Sequence, residues 1–264
     1  MRKYETLTLV ILLAIMSLCV NAKSQTTTPE PVSGKTLTGK ILKNHMIYPK
    51  KALDQKLGGK ISVSFTVGKD GIGKDFKTAE SFDEECAEEA IRLVKMIEWN
   101  PASKDSEPIE YQMDYTVDFS PKSYAKAEAK NQRIMLPAQN YPAQRSNKVY
   151  ETEDLHVSPR FYFSNPQATI GGYLRNELKY PEQAKQFEIQ GTVKMNFIIE
   201  TDGRASNIVI ENSVGGGCDN EAIRLLQDLM WTPGIKNDSL VRTRTSQEIT
   251  FKIGERNYYD GNAY

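Results

Sequence analysis

Apolar and polar residues alternate strictly in two separate stretches of the chain. The apolar positions are Ile61, Val63, Phe65 and Val67 in the first stretch, and Val193, Met195, Phe197 and Ile199 in the second. A period of two with one polar face is typical of strands in an antiparallel sheet that is half exposed to solvent. An Asp-Gly pair follows each stretch and favours a hairpin turn. We therefore predict a strand, a hairpin and a second strand in each place.

Helical spacing of apolar residues follows each predicted hairpin. The positions are Cys86, Ala90, Leu93, Val94 and Ile97 in the first case, and Cys218, Ala222, Leu225, Leu226 and Leu229 in the second. This spacing predicts an amphipathic helix. We expect the two helices to end near Trp99 and Trp231, because Pro101 and Pro233 cannot continue a helix. A shorter helical pattern precedes each Tyr-Pro pair, and a final alternating strand closes each set of elements.

The two sets of elements form an internal repeat. A constant shift of 132 positions places Cys86 on Cys218 and Trp99 on Trp231, without a gap between residues 48 and 119. Such self-similarity indicates a duplicated structural unit. The predicted fold class is α+β, with two-layer domains, each a three-stranded antiparallel sheet with two helices on one face, duplicated.

The beginning of the chain has the pattern of a secretory signal. Arg2 and Lys3 precede an apolar run, and Ala22 occupies a suitable cleavage position. The run is shorter than the roughly 20 residues that span a bilayer. We predict a cleaved signal peptide at residues 1–22, with an uncleaved membrane anchor or a lipid-modified Cys19 as alternatives.

The remaining boundaries follow from composition and from the repeat. Residues 23–34 are polar with two prolines and are expected to form a disordered lead-in. The two domains are expected at residues 35–120 and 161–254. Residues 121–160 are interpreted as a solvated linker and residues 255–264 as a polar tail.

Charge and cysteine content narrow the possible partners. The formal net charge is zero and 26% of the residues are charged, so we expect no nucleic-acid partner. Each repeat contains one cysteine. We interpret Cys86 and Cys218 as buried thiols, with a disulfide between the two domains as the alternative.

The usual signatures of a chemical site are missing from the sequence. Residues 68–74 nearly match a phosphate-binding loop, but Asp75 replaces the hydroxyl residue that would bind magnesium. His45 and His156 are not repeated, and no spacing indicates a metal site or a catalytic triad. We therefore predict a protein that is not an enzyme, with no catalytic residue, no cofactor and no metal.

The open border of each predicted sheet is the remaining candidate for function. The last strand, residues 242–253, is long and contains no proline. Such an edge offers unpaired backbone groups to an extended peptide or to a second copy of the chain. The candidate binding residues are Arg242, Arg244, Ser246, Glu248, Thr250 and Lys252.

Short motifs follow one another along the second repeat. They are Tyr180-Pro181-Glu182-Gln183-Ala184, Gly191-Thr192-Val193, residues 197–204, residues 217–222 and Trp231-Thr232-Pro233-Gly234. These motifs resemble the C-terminal domain of the TonB family of energy transducers, over about residues 165–254. The first repeat resembles the same domain more loosely, over about residues 35–120.

The resemblance implies a periplasmic domain whose last strand pairs with an extended segment of a TonB-dependent outer-membrane receptor. Our leading hypothesis is a non-enzymatic periplasmic protein that binds receptor or other peptide segments by strand addition. A membrane-anchored energy transducer is the first alternative. The family implies a long segment that crosses the periplasm before the C-terminal domain, whereas only residues 23–34 lie between the apolar run and the first repeat. A structural cell-wall or assembly protein, including a homodimer formed through sheet edges, is the second.

Overall fold

The computed structural model describes residues 26–131, 141–144, 146–163, 165 and 167–254. The predicted signal peptide at residues 1–22 and the polar tail at residues 255–264 lie outside these ranges. Within the described ranges, no helix combines the length and the apolar character needed to cross a bilayer.

Repeat one follows the predicted order and adds short elements to it. Its elements are β1 (Glu30–Pro31), α1 (Lys35–His45), α2 (Lys50–Asp54), β2 (Gly59–Val67), β3 (Gly73–Thr78), α3 (Glu84–Lys95), β4 (Trp99–Asn100), β5 (Ala102–Lys104), β6 (Glu107–Ile109) and β7 (Tyr111–Phe119). Strands β3, β2 and β7 form an antiparallel sheet in that order. Strand β1 pairs with β4, and β5 pairs with β6.

The linker and repeat two contain the remaining elements. They are α4 (Pro121–Asn131), β8 (Val149–Tyr150), a 3₁₀ turn (Thr152–Asp154), β9 (Arg160–Tyr162), α5 (Ile170–Glu177), α6 (Glu182–Gln186), β10 (Gly191–Ile199), β11 (Ala205–Asn212), α7 (Cys218–Asp228), β12 (Met230–Thr232), β13 (Gly234–Lys236) and β14 (Ser239–Phe251). The sheet has the order β11-β10-β14-β13, and the linker strand β8 also pairs with β14. Strand β9 pairs with β12.

The register of strand pairing is the same in both repeats. Gly59 lies opposite Phe119 in repeat one, and Gly191 lies opposite Phe251 in repeat two. Both sheets also have a register shift at the same place in the hairpin, after Ser64 and after Asn196. The duplicated sequence therefore specifies pairing as well as element order, because a slip of one residue would turn every apolar side chain to solvent.

Each repeat has its own core, formed by alternate residues of the strands and one face of the long helix. Cys86 and Cys218 are fully buried in these two separate clusters and both are free thiols. Burial raises the pKa of Cys86 to about 12 and also raises the pKa of Cys218. The buried-thiol interpretation is confirmed, and the alternative of an interdomain disulfide is wrong.

The end of the long helix differs from the prediction. Helix α3 ends at Lys95 and α7 ends at Asp228, whereas Trp99 and Trp231 lie in short strands. The Trp99 ring centroid lies 5.3 Å from that of Phe65, and its backbone N–H donates to the Gly71 carbonyl over 3.1 Å. The chain therefore leaves the helix early because the tryptophan fills the core while its backbone joins the hairpin.

The α+β class is confirmed, but the finer prediction for each domain is not. Each repeat has a further short helix after its Tyr-Pro pair, α2 or α6, and the sheet of repeat two has five strands. The expected disordered lead-in is wrong for residues 26–34. Glu30 and Pro31 pair with β4, and Thr27 N–H donates to the carbonyl of Ser103 in β5 over 2.8 Å. This segment is therefore ordered by pairing with two short strands of repeat one.

Gly71→Ala tests how closely the hairpin approaches the tryptophan. Gly71 has φ +76°, and an added Cβ would lie 2.1 Å from the Trp99 carbonyl oxygen. We expect a loss of about 3 kcal/mol in the free energy of unfolding, measured by urea denaturation. Gly34→Ala is the control, since its φ is +71° with no atom within 4 Å. Its ψ of 156° places it in a region that glycine alone populates readily, so Gly34→Ala should cost about 1–2 kcal/mol of backbone strain without a steric clash. Equal losses in the two variants would contradict the packing argument.

Candidate functional site

The last strands of the two repeats differ in how much of their outer edge is free. Strand β7 pairs with β2 along its whole length, and no described residue pairs with its other edge. Thr243 of β14 pairs with Ile199 of β10 and also with Tyr150 of β8, so β8 lies on the edge opposite β10. The linker therefore covers the beginning of the β14 edge.

The linker covers β14 through main-chain hydrogen bonds. Leu240 N–H donates to the Pro142 carbonyl over 2.9 Å, and Gln144 N–H donates to the Leu240 carbonyl over 2.8 Å. From Arg244 to Phe251, β10 is the only strand that pairs with β14 among the described residues. The predicted solvated linker is thus in part a strand of the second sheet.

Five of the six predicted binding residues are at least partly exposed to solvent. Ser246, Glu248 and Lys252 are exposed, and Arg244 and Thr250 are half-buried. Arg244 forms an ion pair with Glu98 at 2.7 Å, and the Thr250 hydroxyl lies 2.9 Å from that of Thr192. The prediction that Arg242 is a binding residue is wrong, because Arg242 is buried and unavailable to a partner.

Arg242 instead forms a buried ion pair where the two repeats meet. Its guanidinium contacts Glu200 at 2.7 and 2.8 Å, and the two side chains are 7% and 6% exposed. The same guanidinium donates to the Met96 carbonyl of repeat one over 2.9 Å and to the Asn147 carbonyl of the linker over 2.8 Å. One side chain therefore joins three segments that are distant in sequence.

Asn207 forms a second contact between the repeats. It lies at the register shift of β11 with φ +47°. Its amide donates to the Met96 carbonyl over 2.9 Å and accepts from Glu98 N–H over 2.8 Å. The side chain thus pairs with the backbone of repeat one as a neighbouring strand would.

His45 forms a third contact, at the end of α1. Its Nδ1 lies 2.8 Å from an Asp202 carboxylate oxygen, and its side chain is 1% exposed. Burial alone would lower the pKa of His45, but the adjacent Asp202 outweighs burial and raises that pKa above 6.5. Burial likewise opposes ionisation of Asp202, yet His45 and Arg204 lower the pKa of Asp202 to about 2.

These contacts make the two repeats one packed unit. Helix α1 belongs to repeat one by sequence, but its residue Ile41 is buried in the core of repeat two. The interface residues were not found by sequence analysis, because the residues at equivalent positions of the other repeat are different. Asn207 corresponds to Asp75 and Arg242 corresponds to Glu110.

The near-match to a phosphate loop has an ordinary structural role. Residues 68–72 form the turn between β2 and β3, and Asp70 accepts a hydrogen bond from Ile72 N–H over 3.0 Å. Among the residues that the structure describes, no group of three or more histidine, cysteine or carboxylate side chains is arranged to hold a metal.

Arg242→Ala tests the buried ion pair between the repeats. Removing one partner leaves the Glu200 charge buried without its counter-ion, so we expect a loss of about 3–5 kcal/mol in the free energy of unfolding. Urea denaturation measures this loss. The control is Lys194→Ala, which removes an exposed ion pair with Glu211 and should change stability little. Equal effects from the two variants would contradict a special role for Arg242.

His45→Gln tests the pH dependence of the interface. A raised pKa for His45 stabilises the folded state below pH 6.5, and this contribution is lost as the pH rises through the folded-state pKa. The lowered pKa of Asp202 adds stability above pH 3.8, which is lost as the pH falls towards about 2. We expect the thermal midpoint to fall as the pH rises above 6.5 and through the raised pKa of His45, and His45→Gln to flatten this fall. The exposed His156→Gln is the control and should leave the slope unchanged.

Comparisons with known proteins agree with the internal repeat. The family described as "Gram-negative bacterial TonB protein C-terminal" matches twice, at residues 44–121 and 176–253. A solution NMR structure of the Pseudomonas aeruginosa TonB CTD is similar at 16% identity, covering 39% of this chain and 90% of that one, with a TM-score of 0.24. A search of curated proteins finds no match. The two family matches cover more than half of the sequence, and the chain therefore belongs to the TonB C-terminal domain family, of which it contains two tandem copies.

Proposed function

We propose that this protein is a periplasmic, non-enzymatic binding protein associated with TonB-dependent transport, and that it binds extended peptide segments by strand addition. Domains of the TonB C-terminal family are periplasmic and associated with outer-membrane receptor transport. The partner under this proposal is an extended segment of a TonB-dependent outer-membrane receptor or a peptide of similar form.

The observation that carries the proposal is the unpaired outer edge of a last strand. Strand β7 has nine residues, and no described residue pairs with its outer edge. Residues 244–251 of β14 pair with β10, and no second strand among the described residues pairs with them. An edge of this length can add an extended peptide through main-chain hydrogen bonds, while alternate side chains supply specificity. On β14, the proposed contacts are Arg244, Ser246, Glu248 and Thr250, with Lys252 after the strand.

The packed arrangement of the repeats changes how two binding edges would act. The interface contacts of His45, Asn207 and Arg242 hold the two sheets in a fixed relation. A partner would therefore meet edges whose separation is set by the protein. Avidity through a flexible linker would require the two repeats to move relative to each other, and these contacts prevent that movement.

The anchored transducer is the alternative with a distinct expectation. It requires Met1 to be retained, whereas a cleaved signal predicts a mature chain that begins at Lys23. Mass spectrometry of the protein from the periplasmic fraction separates the two, and a retained Met1 would favour the transducer.

Peptide binding tests the proposal directly. We expect fluorescent peptides from the N-terminal segments of TonB-dependent receptors to bind the secreted chain, with micromolar affinity measured by fluorescence anisotropy. Peptides of the same sequence with N-methylated backbone amides are the control, because they lack the donors that strand addition needs. Equal binding of the methylated peptides would argue against strand addition, and no binding by any segment would overturn the proposed partner class.

A further inference from the structure

We propose that repeat one is the peptide-binding repeat, and that the outer edge of β7 accepts an extended polypeptide with alternating apolar and polar side chains and a basic side chain opposite Asp114. This inference rests on the proposed function and specifies which edge acts and which partner chemistry suits it. Three differences between the two repeats support it.

The first difference is the availability of the edge. The linker already forms main-chain contacts with β14 at Leu240 and pairs with it again at Arg242 and Thr243. An added strand on β14 would have to stop at Arg244 or displace the linker. On β7, no described residue pairs as a strand with the outer edge from Tyr111 to Phe119.

The second difference is the side of the edge strand that faces the helices. In β7 this side carries Tyr111, Met113 and Tyr115, all half-buried. Met113 and Tyr115 pack against the core, and the Tyr115 ring meets Trp99 at 5.8 Å between centroids.

The equivalent positions of β14 have different chemistry. They are Thr243, Thr245 and Gln247. An added strand lies about 4.8 Å from its neighbour, so its side chains on this face would cover the apolar groups of β7. The same strand on β14 would meet polar groups, and would gain less from burial.

The third difference is charge on the opposite face. The exposed residues of β7 there are Gln112, Asp114, Thr116 and Asp118, and the equivalents on β14 are Arg244, Ser246, Glu248 and Thr250. Asp114 accepts a hydrogen bond from the Ser64 hydroxyl and forms no ion pair with a described residue. A basic side chain on the added strand would lie directly beside this carboxylate, where opposite charges attract across strands.

Asp118, the other acidic residue on this face of β7, lies near lysine residues, which favours Asp114 as the position opposite the basic residue of the added strand. Lys60 lies opposite Asp118 in the strand register. A groove of about 200 Å³ at this end of β7 is lined by Asp118 together with Lys40 and Lys43 of α1 and Tyr124 of α4. Lysine residues thus lie opposite Asp118 in the sheet and in the same groove, so Asp114 is the acid that an added cation would complement.

Two designed peptides and two matched variants test the inference. Both peptides alternate valine with threonine over nine residues, and the two central threonines are replaced by lysine in one and by glutamate in the other. We expect the secreted chain to bind the lysine peptide about tenfold more tightly than the glutamate peptide at low salt. Asp114→Lys should reverse this preference, whereas Ser246→Lys at the equivalent position of β14 should leave it unchanged. Both substitutions are on exposed positions, and circular dichroism melting verifies that each variant is folded.

A second pair of variants tests the apolar face. Met113→Thr combined with Tyr115→Gln gives β7 the residues of β14, and should weaken both peptides by about tenfold. Thr245→Ala on β14 should have no effect.

The outcomes separate this inference from the proposed function. If Ser246→Lys rather than Asp114→Lys changes the preference, β14 is the docking edge and the inference fails while strand addition stands. If receptor-derived peptides bind and neither designed peptide does, the stated partner chemistry is wrong. If sedimentation shows a dimer that Asp114→Lys dissociates, the occupant of β7 is a second copy of the chain, which also overturns the inference. If no peptide of either kind binds, the proposed function itself fails.

Discussion

Of the contacts between the two repeats, one buried guanidinium joins the largest number of segments. Arg242 lies at the start of the last strand, and its charge is balanced by Glu200, while the Met96 and Asn147 carbonyls accept its remaining hydrogen bonds. A buried charge is tolerated only when it is paired and hydrogen-bonded. Because two of these acceptors belong to repeat one and to the linker, repeat two cannot satisfy Arg242 alone. The fold of the second domain is therefore completed by the first, although sequence suggests two independent units.

Residues that recur in the two repeats build the scaffold, and those that differ build the surfaces. Glu89 accepts from Ile47 N–H over 2.7 Å, and Arg92 donates to Glu89 and to the carbonyl of His45. Glu221 and Arg224 make the same set of contacts 132 positions later, with Lys179 and Glu177. This ion pair fixes the chain just before each Tyr-Pro pair, in either copy. His45, Asn207 and Arg242 have no such counterpart, and they form the contact between the copies.

This division explains how much of the structure was predictable. The alternation in β2 and β10 and the helical spacing in α3 and α7 predicted elements that the structure contains, because periodicity reflects burial of one face. A comparison of the two copies identifies only the residues that they share. It therefore does not predict the interface, whose residues differ between the copies. Composition alone predicts a disordered lead-in, but residues 30 and 31 pair with β4, and composition does not show that this edge is available for pairing. Arg242 was placed at the accessible edge because strand position alone does not reveal a buried counter-ion such as Glu200.

The same division bears on the candidate edges. A duplicated domain starts with two equivalent edges, and an exposed edge is a risk of unwanted pairing as well as a binding surface. In repeat two the linker covers the first residues of that edge, and the helix-facing side of β14 carries the polar residues Thr243, Thr245 and Gln247 at the positions equivalent to Tyr111, Met113 and Tyr115. In repeat one no strand among the described residues pairs with that edge, and Tyr111, Met113 and Tyr115 lie half-buried beside it. Closing one edge while keeping apolar groups at the other is the arrangement expected when one copy supports the structure and the other meets the partner.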